Sequence, residues 1–339
     1  VAKVTKRIGF LSFGHWQPVP GSQVRTARDA LVQSVELAVA AEELGLDGAF
    51  VRVHHFARQL ASPFPLLTAM AVRTSRIEVG TGVVDMRYEN PLYTAEEAAA
   101  TDLLAGGRLQ LGISRGSPET ALRGSEAFGF VPPPGTSDAD LAREKTALFL
   151  AAVEGRTVVG ADPRAGAAGR LAVQPQSPGL RDRIWWGSGT RATAEWTGRQ
   201  GMNLMSSTLL VEDTGVPFDE LQAEQIARFR AAWAGAGWQR EPRVSVSRSV
   251  IPVVSDLDRQ YFGAERSSTD QVGLLEGVRS RFGKSYVGEP DQVAEDLAKD
   301  AAVREADTLL LTVPNMLGAD FNARLLENVV RHVAPAIGW

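Results

Sequence analysis

The chain has 339 residues, 44% of them hydrophobic, enough to bury a sizeable core in one large α/β domain or two ordinary ones. Its 36 basic and 40 acidic side chains leave a formal net charge of −4 with no basic run, which argues against a nucleic-acid partner. With no cysteine, disulfides, thiolate nucleophiles and Cys-ligated metals are excluded, so redox chemistry would rest on a bound organic cofactor or a non-thiol metal site.

The N-terminal "VAKVTKRIGFLSFG" carries no apolar signal-peptide core, and no window nears the roughly 18 apolar residues of a membrane span; a cytoplasmic protein with no membrane partner is expected. Residues 7–13, "RIGFLSF", form a short apolar run ended by Gly14 and read as a buried strand. Residues 26–44 repeat apolar side chains at three- and four-residue spacing, a helix that Gly45 closes. "DGAFVRVHH" is the second strand. Pro63 opens the second helix, "RIEVGTGVVD" is the third strand, "NPLYTAEEAAATDLLAGG" the third helix and "RLQLGISRG" the fourth strand. Further strands fall at "RIWWGSG", "MNLMSS", "RVSVSRSVIPVV" and "DTLLLTVP", with helical patterns at "FDELQAEQIARFRAAWAGAG" and "PDQVAEDLAKDAAVREA".

Eight strands alternating with helices predict a single (β/α)8 TIM barrel over residues 1–339, with a doubly wound open sheet as the alternative, because periodicity does not show closure. Residues 131–176 and 255–286 break the rhythm; in a barrel they are expected as loop insertions at the C-terminal face, serving as lids or as plain surface excursions.

Barrel active sites lie at the C-terminal ends of the strands. That rule selects Gly14 and His15, then His54 and His55, then Asp85 with Arg87, then Ser114 with Arg115. Adjacent residues of an extended chain point apart, so one of His54 and His55 faces the barrel mouth and the other serves structure. The spacing of the four histidines offers no metal motif. "WWGSGTRATAEW" runs from a strand through Gly187, Ser188 and Gly189 into a helix carrying Thr190 and Thr193, where small residues and a helix N-terminus suit a phosphate; Thr190 as a simple N-cap is the ordinary alternative. Arg115 closes such a site from the opposite wall, unless it is spent on a surface ion pair with Glu119 or Glu126. Together these groups suggest a phosphorylated cofactor. Gly80 and Gly82 inside "EVGTGVVD" leave room either for a flat ring or for a packed neighbour.

The order "ELGLDGAFVRVHHF", "TSRIEVGTGVV", "NPLYTAEEAAATDLLAGGRLQLGISRG", "WWGSGTRATAEWTGRQG" and "VGEPDQVAEDL" resembles the bacterial luciferase-like flavin-dependent monooxygenase superfamily over nearly the whole chain. The resemblance implies reduced FMN, or in sister families 8-hydroxy-5-deazaflavin, bound at the barrel mouth. Its phosphate would be held by Arg115, Gly189, Thr190 and Thr193, with Ser114 and a cis peptide at Gly82–Val83 beside the ring. His54 matches the active-site histidine, a catalytic base. The resemblance further implies a homodimer, O2 and a small organic molecule as substrates, and, because no GxGxxG is present to hold NAD(P)H, a separate flavin reductase as supplier. The chain departs from the pattern at Val53, where relatives carry Glu, at Ser114, where luciferases carry a reactive cysteine, and at "DMRYEN", which points to a polar substrate or an altered pocket. A deazaflavin-dependent hydride transferase, a flavin-binding protein without turnover and an unrelated phosphosugar barrel are the competing readings.

Overall fold

The computed structural model describes residues 5–116, 121–212, 214–263, 267–275 and 278–339. Eight parallel strands form the centre: β1 (Arg7–Ser12), β2 (Gly48–Val51), β3 (Glu78–Thr81), β4 (Leu109–Ser114), β5 (Ile184–Ser188), β6 (Asn203–Ser206), β7 (Val244–Pro252) and β8 (Thr308–Thr312). Each pairs with the next. β8 returns to β1 through Gly9 opposite Leu310, and Val244 of β7 sits opposite Leu204 of β6, so the sheet closes into a (β/α)8 barrel and the open-sheet alternative falls.

The outer ring comprises α1 (Ala27–Glu43), α2 (Pro63–Arg73), α3 (Pro91–Leu104), α4 (Asp138–Val153), α5 (Arg191–Arg199), α6 (Phe218–Ala236), α7 (Pro290–Lys299) and α8 (Gly318–Asn328). Local chemistry sets their ends. Thr26 and Asp29 make a reciprocal capping box at α1, which buries Ala30, Ser34, Leu37, Ala38 and Ala41 on one stripe. The same helix ends with Leu46 N–H bonded to the Ala41 carbonyl and Gly45 N–H to that of Glu42, a geometry that needs Gly45 at φ +90°. Asn90 caps α3 ahead of Pro91.

Side chains fill the barrel in layers. At the bottom, Glu78 accepts from Arg7 at 2.6 Å, Arg243 at 2.8 Å and Gln110 at 3.1 Å, and Gln110 in turn accepts from the Trp185 indole at 2.8 Å. Above it lie Phe50, Trp185 and Leu310, then Leu11 and Met205, all buried. Gly80 belongs to this packing. A β-carbon there would sit 2.4 Å from the Gln110 carbonyl oxygen and 2.6 Å from the Phe50 ring, so it is the ordinary packing glycine and makes no room for a ligand.

The two irregular segments need correction. Residues 131–176 are not one insertion: α4 occupies their middle, the rim excursion ends at its N-cap Ser137, and the hairpin Thr157–Gly160/Arg170–Ala172 follows the helix and so hangs from the opposite end of the barrel. Residues 255–286 hold a short helix, Asp256–Phe262, and the antiparallel strands Gln271–Leu275 and Val278–Phe282, the latter pairing with Leu209 and Leu210 beyond β6; residues 264–266 and 276–277 lie outside the described set. This second excursion does reach the C-terminal rim. Among the described residues no helix is long and apolar enough to cross a membrane.

Candidate functional site

The strand ends surround a cavity that takes in His54, Gly82, Val83, Ser114, Arg115, Gly189, Thr190 and Thr193, whereas Gly14, His15, His55 and Arg87, also selected by the strand-end rule, are not among its described lining residues. The third strand stops at Thr81; the Gly82–Val83 peptide is cis, and Val84–Asp85 resumes pairing with the end of β4. Gly82 and Val83 thereby face the cavity together with Leu11, Phe13, Met205 and Leu310, an apolar slot at the barrel axis.

His54 lines this cavity, whereas His55 is buried, stacks on Tyr88 at 4.2 Å between ring centres and meets Phe128 edge-on at 5.0 Å. One histidine serves the mouth and the other the packing beneath it, as the extended backbone requires. Desolvation first, then the positive field of Arg52, lowers the His54 pKa to about 4, so its imidazole is neutral at pH 7. A neutral ring both donates and accepts a hydrogen bond. As a proton acceptor it is weak unless a bound anion offsets Arg52.

The polar end is built from two sides. On one, Ser114 accepts from the Gly116 amide at 2.8 Å and fixes the turn that carries Arg115 to the cavity lip. On the other, Thr190 caps α5 by accepting from the Thr193 amide at 3.1 Å, and the two hydroxyls lie 2.9 Å apart. The N-cap role is therefore real, and the same side chains also line the cavity. Two of the first amides of α5 are already engaged: Glu212 accepts from that of Arg191 at 2.9 Å and Thr190 from that of Thr193. Gly189 is packed against the Leu209 carbonyl, 3.3 Å from where its β-carbon would be, which explains the glycine without a ligand.

Of the proposed ion-pair partners of Arg115, Glu126 is taken by Arg123, and Glu119 lies outside the described residues. Arg143 joins Arg115 at the cavity, with its guanidinium 5.2 Å from the centre of the Trp196 ring. Strand-end reasoning missed it because it rides on α4, which folds over the mouth. Ser206, Ser207 and Thr208, at the end of β6, also line the cavity and were legible by that rule but passed over.

The "DMRYEN" segment is largely consumed by the scaffold. Asp85 holds Arg87 in a forked pair, with Nη2 to Oδ2 at 2.7 Å and Nε to Oδ1 at 3.1 Å, and Arg87 reaches on to Asp138 at the start of α4 at 2.8 Å. Lys145 of α4 donates to the Arg87 carbonyl at 2.7 Å. Burial raises the Glu89 pKa to about 7 and lowers that of Lys145 to about 8. These contacts tie the helix that bears Arg143 to the end of β3, so the segment does not by itself signal a polar substrate. Among the described residues no group of three or more His, Asp or Glu side chains is arranged around a metal position.

The strand ends of the closed (β/α)8 barrel thus bring together an apolar slot and two arginines, Arg115 and Arg143. The family model for luciferase-like monooxygenases matches residues 6–261, and the chain belongs to that family. The oxygenase component of the flavin-dependent trigonelline monooxygenase of Acinetobacter baylyi is 32% identical over 110 residues, covering 32% of this chain and 30% of that protein. The F420-dependent glucose-6-phosphate dehydrogenase of Amycolatopsis mediterranei is 36% identical over 100 residues, 27% of this chain and 30% of that one. The matches thus span less than a third of these relatives' length. The oxygenating constituent of 3,6-diketocamphane monooxygenase from the CAM plasmid of Pseudomonas putida, solved in complex with FMN, superposes with a TM-score of 0.67 at 15% identity over 98% of this chain and 99% of that one, a likeness of fold. Relatives therefore include flavin-dependent monooxygenases and F420-dependent oxidoreductases.

Proposed function

We propose that this protein is the oxygenase of a two-component monooxygenase, taking reduced FMN from a separate flavin reductase and oxygenating a small organic substrate with O2. The observation that carries the reading is the donor set at one end of the cavity: Arg115, Arg143, Thr190 and Thr193 converge on it, and the single carboxylate among the described lining residues, Asp85, is neutralised by Arg87. Two guanidiniums and two hydroxyls suit a phosphate monoester dianion, whereas the slot formed by Leu11, Phe13, Val83 and Met205 suits a flat apolar ring system. The relative named an oxygenase component supports the supply of cofactor by a partner enzyme.

Reduced FMN, when bound, supplies the electrons with which O2 is activated. The chain's own part is to orient and to shield. Arg115 and Arg143 fix the phosphate; Gly82 presents backbone rather than bulk to the slot, and Val83 adds to its apolar wall; the apolar layer of Leu11, Met205 and Leu310 keeps water from the barrel axis. His54, neutral and held by its backbone amide on the Leu60 carbonyl at 2.8 Å, offers a hydrogen bond at the slot, and an anion bound there would raise its pKa toward a working base.

The test is an anaerobic titration with FMN, riboflavin and a deazaflavin. FMN should bind far more tightly than riboflavin, and Arg115→Ala and Arg143→Ala should each weaken FMN by roughly 10- to 100-fold, the worth of a hydrogen bond to a charged group, with riboflavin unchanged. Equal affinity for FMN and riboflavin would refute the phosphate assignment, and preference for the deazaflavin would move the protein to the hydride-transfer branch of its family.

A further inference from the structure

A second cavity, of about 680 Å³, opens at the same face of the barrel on the side of β1, β7 and β8. It shares Phe13 with the first, so the two cavities are neighbours at that ring. Its walls are mainly apolar and aromatic, with Trp16 from the loop after β1, Ile251 from β7, and Val313 and Met316 from beyond β8. Phe13 and His15 lie nearly parallel, 5.8 Å between ring centres and 6° between planes, which gives the chamber a flat side.

Its charge is one-sided. Arg58 is the one arginine among the described residues that line it, no lysine, aspartate or glutamate is among them, and the Arg58 guanidinium stands 5.5 Å from the centre of the Trp16 ring. The Arg52 guanidinium lies 4.8 Å from the centre of the Phe13 ring. Arg58 is exposed, so solvent screens its field, and the chamber favours an anion over a cation by the sign of that one charge. A planar guanidinium above an indole edge can bind a carboxylate through two parallel N–H groups while the ring packs on the rest of the molecule.

We propose that this second chamber is the substrate site and takes a flat aromatic molecule bearing a carboxylate, which Arg58 binds while Phe13 and Trp16 flank the ring. The assignment as substrate rests on the preceding reading that the first cavity holds the flavin, because Phe13 lines both cavities and so sets an occupant of the chamber beside the first. Position and charge specify the class; with Arg58 as the one formal charge among its described lining residues, the wall disfavours a cation.

The probes are 2-naphthoate, its neutral counterpart 2-naphthamide and the aliphatic decanal, each titrated calorimetrically into the protein with and without FMN. Binding of 2-naphthoate at least about tenfold tighter than 2-naphthamide is expected, a preference lost in Arg58→Ala, partly restored in Arg58→Lys and untouched in Arg115→Ala. FMN should not displace it. Equal binding of acid and amide, an indifferent Arg58→Ala, preference for decanal, or displacement of 2-naphthoate by FMN would each overturn the proposal. FMN binding without 2-naphthoate binding would sink the chamber alone, whereas Arg58-dependent 2-naphthoate binding without FMN binding would sink the flavin reading and leave the aromatic-anion site standing.

Discussion

Replacing Glu89 by Gln should stabilise the protein at pH 8 and change little near pH 4. In the folded state burial lifts the carboxyl from its ordinary 4.5 to about 7, so the native protein retains a proton that the unfolded chain releases. Stability from this group is complete below pH 4.5 and is lost as pH rises through 7. A shift of 2.5 pH units corresponds to about 3 kcal/mol, and loss of a countercharge for the half-buried Lys145 brings the expected net gain of Glu89→Gln at pH 8 to about 2 kcal/mol. Little hydrogen bonding is sacrificed. The Thr94 hydroxyl already donates to the Asn90 carbonyl at 2.8 Å and lies 3.3 Å from Glu89. Urea unfolding of both proteins from pH 4 to pH 8 provides the assay: the two stability curves should diverge between pH 4.5 and 7. Parallel curves would show that Glu89 is not desolvated as the fold requires, and with them would go the account of how α4 is anchored.

Three further outcomes follow from the packing. Gly80→Ala should cost about 3 kcal/mol or more in denaturant unfolding, because its β-carbon meets backbone at 2.4 Å, whereas Gly160→Ala, with nothing within 4 Å, should be nearly neutral. Asp300→Asn should cost about 3–5 kcal/mol by the same measurement: its carboxylate is bound by Arg248 at 2.6 Å and Tyr286 at 2.6 Å with both ion-pair side chains almost wholly buried, and the substitution leaves the guanidinium without its charge. In an NMR titration the His54 imidazole should stay neutral down to about pH 4 in the unliganded protein and protonate at higher pH once FMN is bound; a titration near 6.5 without ligand would contradict the desolvated site.

What was legible in the sequence was whatever a single segment decides. Gly45 and Pro63 marked helix ends, and apolar runs gave the strands, because each depends on neighbours within a turn or two. The strand-end rule then gathered His54, Ser114 and Arg115, and the small residues leading into a helix added Thr190, without any knowledge of register. The points that the sequence left open share one cause. Whether 131–176 is a lid, whether Gly80 faces a ligand and whether Asp85 is available to a substrate are all decided by residues distant in sequence: α4 folding back, Phe50 and Gln110, and Arg87.

Arg143 extends the same point to the chemistry. A helix that packs on a barrel ordinarily buries one face and exposes the other, and nothing in the pattern of α4 marks Arg143 as anything but a surface cation. It becomes a site residue because Arg87 grips Asp138 and Lys145 grips the Arg87 carbonyl, drawing the first turns of the helix across the mouth. The anion end of the cavity thus joins a strand-end arginine, placed by Ser114, to a helix arginine placed by the Asp85–Arg87 pair. Arg87→Ala should therefore weaken FMN binding as Arg143→Ala does, although Arg87 is not among the described residues lining the cavity, while leaving riboflavin binding unchanged. Equal loss of both ligands would show instead that Arg87 supports the barrel mouth as a whole.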